Sequence, residues 1–377
     1  MKTGFTGDVG FARATKTVLR RAPDVSRRQA RFMRVRQGMQ TARAQPAGLT
    51  ILIHTLFWSE TMSEMQAYRI DRFGGPDVLQ LDAVPVPQPG SGEVLVRMRA
   101  AGVNPVDLKT RAGQYPLIGE GSLPYTLGRD CSGVVEQTGE NVKWAQGDEV
   151  FAFVGQGPGA YAEYVKLDAS ALARRPASIE ATVAGAVPLA ALTAWQGLFD
   201  HGCLERGERV LIHAGAGGVG HFAVQFAKEK GAEVFVTASG DGVEFVRSLG
   251  ADHAIDYRRQ RFEDVVPEVD LVFDLVGGET ETRSWNLVAK GGALISTIAE
   301  PSQTEAARRG ARGERYTARP DGGQLSVIAE LIDKGRVQVR IADTFAFSAL
   351  PQALARLEEG HVHGKIVVLS PVNSAKR

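Results

Sequence analysis

Two cysteines in 377 residues, Cys131 and Cys203, are too few for a disulfide scaffold or for a structural zinc site with four thiolate ligands. A reducing, cytoplasmic setting is therefore expected, with both thiols read as small buried hydrophobes. Charge surplus is also lacking, since 44 Lys and Arg face 43 Asp and Glu, formally +1. The apolar run at 49–58 spans ten residues and contains His54, short of the roughly 20 needed to cross a bilayer. No membrane association is expected. Internal repeats and low-complexity tracts are missing as well. What is present is ordinary globular composition, 44% hydrophobic and 23% charged, which excludes a disordered, fibrous or multi-span chain. The length suits two to three domains. Glycine is abundant, 43 residues clustered at turns without a period.

The near-zero net charge conceals an asymmetry. Residues 1–64 carry eleven Lys and Arg against four Asp and Glu, a surplus of seven, which leaves the remainder at −6. Such a leader suits an organellar presequence, a nucleic-acid arm, or an upstream extension with little structure. The extension is the reading adopted, because no cleavage logic or helical face stands out. A body at −6 argues against nucleic acid, whose binding needs basic surface.

From residue 65 the pattern is strand-like. Short apolar or alternating runs at 66–70, 78–84, 93–101, 131–136, 149–154 and 160–166 are separated by Gly and Pro turns, as in a compact barrel-like β domain. Near residue 181 the texture changes. Apolar runs at 209–214, 233–238, 253–257, 271–276, 293–298 and 315–319 alternate with helix patterns at 218–230, 242–249 and 280–289. Strands apolar on both faces and separated by helices predict a doubly wound parallel sheet. A helix at 323–333, a short run at 345–347, a helix at 351–359 and a strand at 366–369 follow, and this tail should return to the first domain. The expected division is an extension at 1–64, a β-rich domain at 66–185, a nucleotide-binding domain at 186–320 and a returning segment at 321–377.

The strongest motif is RVLIHAGAGGVG, residues 209–220. Gly215, Gly217 and Gly220 fit G-x-G-x-x-G directly after a strand and at the opening of a helix. There glycine permits a tight turn, close approach of main chain to a pyrophosphate, and close helix–strand packing. Gly218 and Val219 complete the turn, and the helix N-terminus offers free N–H groups to phosphate. The second strand ends Thr237-Ala238-Ser239-Gly240 without the carboxylate typical of NAD sites. Ser239, with Arg258 and Arg259 after the third strand, suits a 2′-phosphate, so NADPH is expected rather than NADH.

The run from Gly207 to Tyr257, together with AALTAW at 190–195 and GAYAEY at 159–164, resembles the medium-chain dehydrogenase/reductase superfamily. AGVNPVD at 101–107, GRD at 128–130 and HGKIV at 363–367 narrow the resemblance to zinc-independent quinone oxidoreductases and NADPH-dependent enone reductases. The resemblance covers about residues 65–370. It implies an α/β fold, a Rossmann doubly wound parallel sheet plus a GroES-like β-rich catalytic domain, and a homodimer. It also implies hydride transfer from NADPH to a small-molecule quinone or α,β-unsaturated carbonyl. Zinc alcohol dehydrogenases of the superfamily carry a Cys ligand in the 101–107 loop and Gly-His-Glu at 128–130. Here Val103-Asn104 and Gly128-Arg129-Asp130 stand there, so no metal is expected.

By the same resemblance Asn104 lines the nicotinamide, Thr193 sits near its carboxamide, and Tyr115, in RAGQYP, is the proton donor. Residue by residue, plainer roles compete: a turn-stabilising Asn before Pro105, a helix hydroxyl bonded to its own backbone, and an aromatic packed at a loop. Val276 and Gly277, in the turn Asp274-Leu-Val-Gly, should touch the ribose on the nicotinamide side. Tyr257 matches a tyrosine near the adenosine phosphate, and Gly364 and Lys365 a segment folding back toward the cofactor phosphate. Asp107 and Asp130 read as architecture, pairing with Arg129 or Lys109. Two other functions fit less well: a zinc-type alcohol dehydrogenase, and a non-catalytic NADPH-binding protein like the lens crystallins of the family.

Overall fold

The structure, a computed structural model, describes residues 63–371. The expected extension lies outside the described residues, except that Glu64 already opens the first strand. The first eight strands are β1 (Glu64–Ile70), β2 (Leu79–Pro85), β3 (Glu93–Val103), β4 (Tyr125–Thr126), β5 (Asp130–Thr138), β6 (Glu149–Phe153), β7 (Tyr164–Asp168) and β8 (Leu172–Arg174). They form antiparallel ladders, β2-β1-β4 in one sheet and β3-β5-β6-β8 in another, with β7 added on β3. Their inward side chains, among them Val94, Val96, Met98, Cys131, Val135 and Val150, form one apolar core.

Six strands follow: β9 (Arg209–Ile212), β10 (Glu233–Ala238), β11 (His253–Asp256), β12 (Val269–Asp274), β13 (Val288–Ser296) and β14 (Arg312–Arg315). They are parallel, in the order β11-β10-β9-β12-β13-β14. Strand β9 shows why the sequence reads as an unbroken apolar run. Val210 and Ile212 pack against the helices Pro188–Trp195 and Gly220–Lys230, while Leu211 faces the opposite layer with Phe262 and Trp285. A strand covered on both faces has no position for a polar side chain. The strand order reverses between β9 and β12, and the crevice beyond their carboxyl ends is the ligand site of such sheets.

The chain then returns. β15 (Ile341–Phe345) and β16 (Lys365–Leu369) extend the antiparallel sheet, β16 pairing antiparallel with β3 so that Ile366 faces Val103. Just before β16, the Gly364 N–H donates to the Ala216 carbonyl inside the glycine-rich turn (2.9 Å). The start of β16 thus joins the two sheets beside the crevice.

Four expectations need correction. The helix expected at 280–289 ends at Ser284. A 3₁₀ turn, Trp285–Leu287, then leads into β13, because Trp285, Leu287 and Val288 are buried together against the sheet. The sixth parallel strand lies at Arg312–Arg315, ahead of the expected 315–319, so Tyr316 to Ala318 emerge from its carboxyl end. The run at 160–166 is a buried loop over its first half, with the Tyr161 main chain bonded to Leu127 and Tyr68, and becomes β7 from Tyr164. Cys131 is buried as expected, whereas Cys203 is exposed, in a turn at φ +53° that directs it outward.

Candidate functional site

The turn after β9 is built by the absence of side chains. A Cβ on Gly215 would lie 2.0 Å from Val236 Cγ1, and one on Gly220 would lie 2.3 Å from the Ala214 carbonyl oxygen. Both positions are closed to anything larger. Gly217 and Gly218 instead line the cleft, where a Cβ would occupy part of the cradle. The turn is held from beneath by His213. Ser284 donates its hydroxyl to the Thr280 carbonyl (2.6 Å), so it accepts from His213 Nε2 (2.8 Å), leaving Nδ1 to accept from Thr237 (3.0 Å). Burial holds His213 at about 4, well below the ordinary range, and His221 on the following helix likewise at about 4. Both are neutral fixtures. The 11-residue helix Gly220–Lys230 opens on this turn, where His221, Phe222 and Ala223 already bond Gly217 and Val219, so the N–H groups of Gly218, Val219 and Gly220 and the positive dipole end are what the cradle offers. A dinucleotide pyrophosphate fits there.

On the β10 side, the half-buried Ser239 Oγ donates to the exposed Tyr257 hydroxyl (3.2 Å), and Gly240 at φ +55° turns the chain away. Arg258 is exposed, and its backbone N–H is held by Asp256 (3.1 Å), while Arg259 pairs with Asp256 (3.4 Å). Sequence reading passed over His363, whose Nε2 would lie 3.1 Å from a Cβ on Gly242. After β12, the buried Asp274 accepts from the N–H groups of Val276 (3.0 Å) and Gly277 (2.9 Å) and from Ser296 (2.8 Å). This fixes the turn whose Leu275 lines the cleft. Val276 and Gly277 are not among the lining residues, and Gly277 packs against Ile298.

Where β3 meets β16 lies a buried charged seam. Lys365, 3% exposed, donates to Asn104 Oδ1 and to the Val103 carbonyl (3.2 Å), with Asp130 at 3.6 Å. Asn104 Nδ2 donates to Asp130 (2.8 Å), whose other oxygen accepts from the Leu189 N–H (2.6 Å). Asp107 accepts from Tyr161 (2.7 Å) and from the Asn104 N–H (2.9 Å). Burial raises the Asp107 carboxyl to about 6 against the hydrogen bond from Tyr161, and burial lowers the Lys365 amine against the pull of Asp130 and Asp107.

Two expectations change here. Asp107 and Asp130 pair with Tyr161, Asn104 and Lys365, not with Arg129 or Lys109. Arg129, which precedes β5, turns the other way, to Tyr125 (2.9 Å) and the Gly155 carbonyl. Lys365 presents its aliphatic stem to the cleft, Cδ 3.1 Å from a Cβ on Gly218, while its ammonium is engaged in the seam and not aimed at a phosphate.

Between cradle and seam lies a cleft of about 590 Å³. Asn104, Tyr115, Thr193, Gly217 to Gly220 and Lys365 all line it, whereas Gly215, Ser239, Tyr257 and Arg258 do not. Asn104 has both side-chain groups committed to the seam. Thr193 Oγ1 donates back to Leu189 (2.7 Å). Tyr115 differs. Its hydroxyl accepts from Gln156 (3.0 Å), a contact that does not use its own proton, and the Arg129 guanidinium lies 5.3 Å from its ring centre. Sequence reading also missed Lys109, Phe153, Arg315 and Tyr316 on the cleft walls. The Tyr316 hydroxyl donates to the Thr193 carbonyl. A correctly placed end to the last parallel strand would have pointed to 315 and 316, since such ends face the crevice. Among the described residues no three His, Cys, Asp or Glu side chains are grouped as a metal ion would require.

Comparison with known proteins matches residues 90–177 to the family described as "Alcohol dehydrogenase GroES-like domain" and residues 249–368 to that described as "Zinc-binding dehydrogenase". The mouse mitochondrial NAD(P)H oxidoreductase RTN4IP1 is 36% identical over 358 residues, covering 81% of this chain and 89% of that protein. The chloroplastic NADPH-dependent alkenal/one oxidoreductase of Arabidopsis thaliana is 36% identical over 321 residues, covering 81% and 79%. The solved quinone oxidoreductase of Coxiella burnetii superposes with a TM-score of 0.76 at 34% identity, covering 81% of this chain and 99% of that one.

Proposed function

Because the chain belongs to the medium-chain dehydrogenase/reductase superfamily as an NAD(P)H-dependent oxidoreductase, we propose that it reduces quinones or α,β-unsaturated carbonyls with NADPH. The observation that carries this reading is the cleft itself. A main-chain cradle for a dinucleotide faces Tyr115 across an apolar space whose lining includes no carboxylate. When bound, NADPH supplies the hydride, and the protein supplies position and electrostatics.

The chain's own contribution divides by residue. Gly218, Val219 and Gly220 hold the pyrophosphate on N–H groups, Gly217 lets the main chain approach it while its own N–H closes the turn onto Ala214, and Gly215 sets the turn beneath them. Ser239, Tyr257 and Arg258 favour a 2′-phosphate by offering hydroxyls and a cation where a carboxylate would repel it. Val276 and Gly277 shape the ribose side through Asp274. Thr193 forms the wall at the nicotinamide end. Asn104 and Lys365 hold that wall rigid, and the fixed dipoles of the seam lie against it. As the acceptor is reduced its carbonyl oxygen gains negative charge, and the Tyr115 O–H donates to it, solvent restoring the proton.

For assembly we propose a homodimer, since β14 leaves one edge of the parallel sheet unpaired among the described residues. For location we propose the cytoplasm, against the organellar designations of two relatives; import of a reporter fused to residues 1–64 would overturn that. No helix among the described residues is long and apolar enough to cross a membrane.

The deciding experiment follows oxidation of NADPH and NADH by purified protein against matched quinones, enones and short-chain alcohols. Turnover of quinones or enones with NADPH supports the proposal, and turnover confined to alcohols with NAD refutes it. NADPH binding without turnover of any acceptor would identify a non-catalytic binder.

A further inference from the structure

The cleft carries an imbalance that the proposed reaction does not require. Its lining includes four cations, Lys109, Arg129, Arg315 and Lys365, and no Asp or Glu. Two of the four are spoken for. Lys365 is paired with Asp130, and the buried Arg129 is engaged by Tyr125, the Gly155 carbonyl and, at 3.5 Å, Thr110. Lys109 and Arg315 are different. Both are exposed, and no ion pair involves either among the described residues.

Their positions separate them from the dinucleotide phosphates. Across the parallel sheet the order is β11, β10, β9, β12, β13, β14. Ser239 and Tyr257 follow β10 and β11, on one side of the switch point. Arg315 closes β14, on the other side, three strands from the glycine turn after β9. At about 4.8 Å per strand that is about 14 Å. Its backbone is fixed by pairing with Ser296, and the next residue, Tyr316, is anchored to Thr193. Lys109 stands on the opposite wall, on the helix Pro105–Arg111 that Asn104 begins, six residues before Tyr115. The same lining includes apolar Val106, Phe153, Leu189, Ile298 and Leu357 beside the neutral polar groups of Gln114, Thr193 and Thr297.

We propose that Lys109 and Arg315 select acceptors that join an apolar body to an anionic group, a carboxylate being the simplest. This rests on the reductase reading and narrows its substrate class. Two unpaired cations flanking an apolar acceptor space favour such a molecule over its neutral counterpart, both by attraction and by leaving no carboxylate to repel it.

The test uses 4-(3-oxobut-1-enyl)benzoate and its methyl ester, which share one enone and differ in charge at the far end of the ring. The wild-type protein should show at least a tenfold lower KM for the acid than for the ester, an advantage that shrinks with added salt. Arg315→Gln and Lys109→Gln should each raise the KM for the acid several-fold, leaving the KM values for the ester and for NADPH unchanged. Equal KM values for acid and ester, or variants that shift the KM for NADPH instead, would overturn the inference while leaving the reductase reading intact. Binding of 4-(3-oxobutyl)benzoate, the saturated acid, to NADP⁺-loaded protein gives a readout independent of turnover. If binding depends on Arg315 and Lys109 but no enone or quinone is reduced, the reductase reading fails and the anion site stands.

Discussion

The two walls of the cleft are made rigid by opposite means. The cradle after β9 works by removing side chains, so that main chain packs on main chain at Gly215 and Gly220. The seam between β3 and β16 works by burying charge, with Asp107, Asp130 and Lys365 each at 3% exposure or less. A backbone cradle presents many weak donors at no desolvation cost beyond its own N–H groups. A buried charged seam is expensive to form and holds only while every member is present. The cradle should therefore tolerate changes that keep it small, and the Lys365–Asp130 pair should not tolerate loss of its cation alone.

The largest expected effect tests the seam. Lys365→Met leaves Asp130 buried without its cation and should cost about 3–5 kcal/mol in denaturant unfolding. Adding Asp130→Asn should recover part of that, and equal losses for the single and double variants would show that the ion pair is not what holds the seam. Next, Tyr115→Phe should lower kcat for enones by roughly 10²-fold with little change in the KM for NADPH. A loss in NADPH affinity alone would return Tyr115 to a packing role.

Acid separates the two walls by sign. Between about pH 6.5 and 4 the unfolded chain binds protons that His213 and His221, both held at about 4, do not take up when folded. Stability present above that range is lost as pH falls. Asp107, held at about 6 against 3.8, works the other way, because the folded chain binds its proton first. From pH 7 to 5 these three groups together should remove roughly 2 kcal/mol, read from denaturation midpoints. His213→Gln should flatten the slope and Asp107→Asn should steepen it.

Gly220→Ala places a Cβ against the Ala214 carbonyl and should cost about 1–3 kcal/mol while weakening NADPH binding. Unchanged binding would mean that the turn relaxes more than its packing suggests. The smallest effect belongs to the exposed rim. Arg258→Ala should raise the KM for NADPH by roughly tenfold and leave that for NADH alone.

The cradle was legible in the sequence because its constraint is local: six residues span Gly215 to Gly220, directly after an apolar run. β10 was legible to the residue, since turn residues bound it at both ends. The seam was not. Lys365 and Asn104 are 261 residues apart, and nothing near either one names the other. Arg129 misled for a related reason, because the Gly155 carbonyl that holds it lies 26 residues away and nothing beside Arg129 names it. The helix expected at 280–289 overran because Trp285, Leu287 and Val288 satisfy a helical period equally well, and only their burial against the sheet ends it in a 3₁₀ turn that leads into β13. That error and the late placement of the sixth strand hid Arg315 and Tyr316 from the candidate site.

The pairing of β16 with β3 also sets a timetable. As the polypeptide leaves the ribosome, Val103 and Asn104 appear some 260 residues before Lys365. At about 5–20 residues per second this interval is on the order of 10–50 s. For most of it, Asp130 waits without its ammonium partner, and an entire nucleotide-binding sheet is synthesised in between. The newborn protein therefore acquires its coenzyme platform before its acceptor wall is complete.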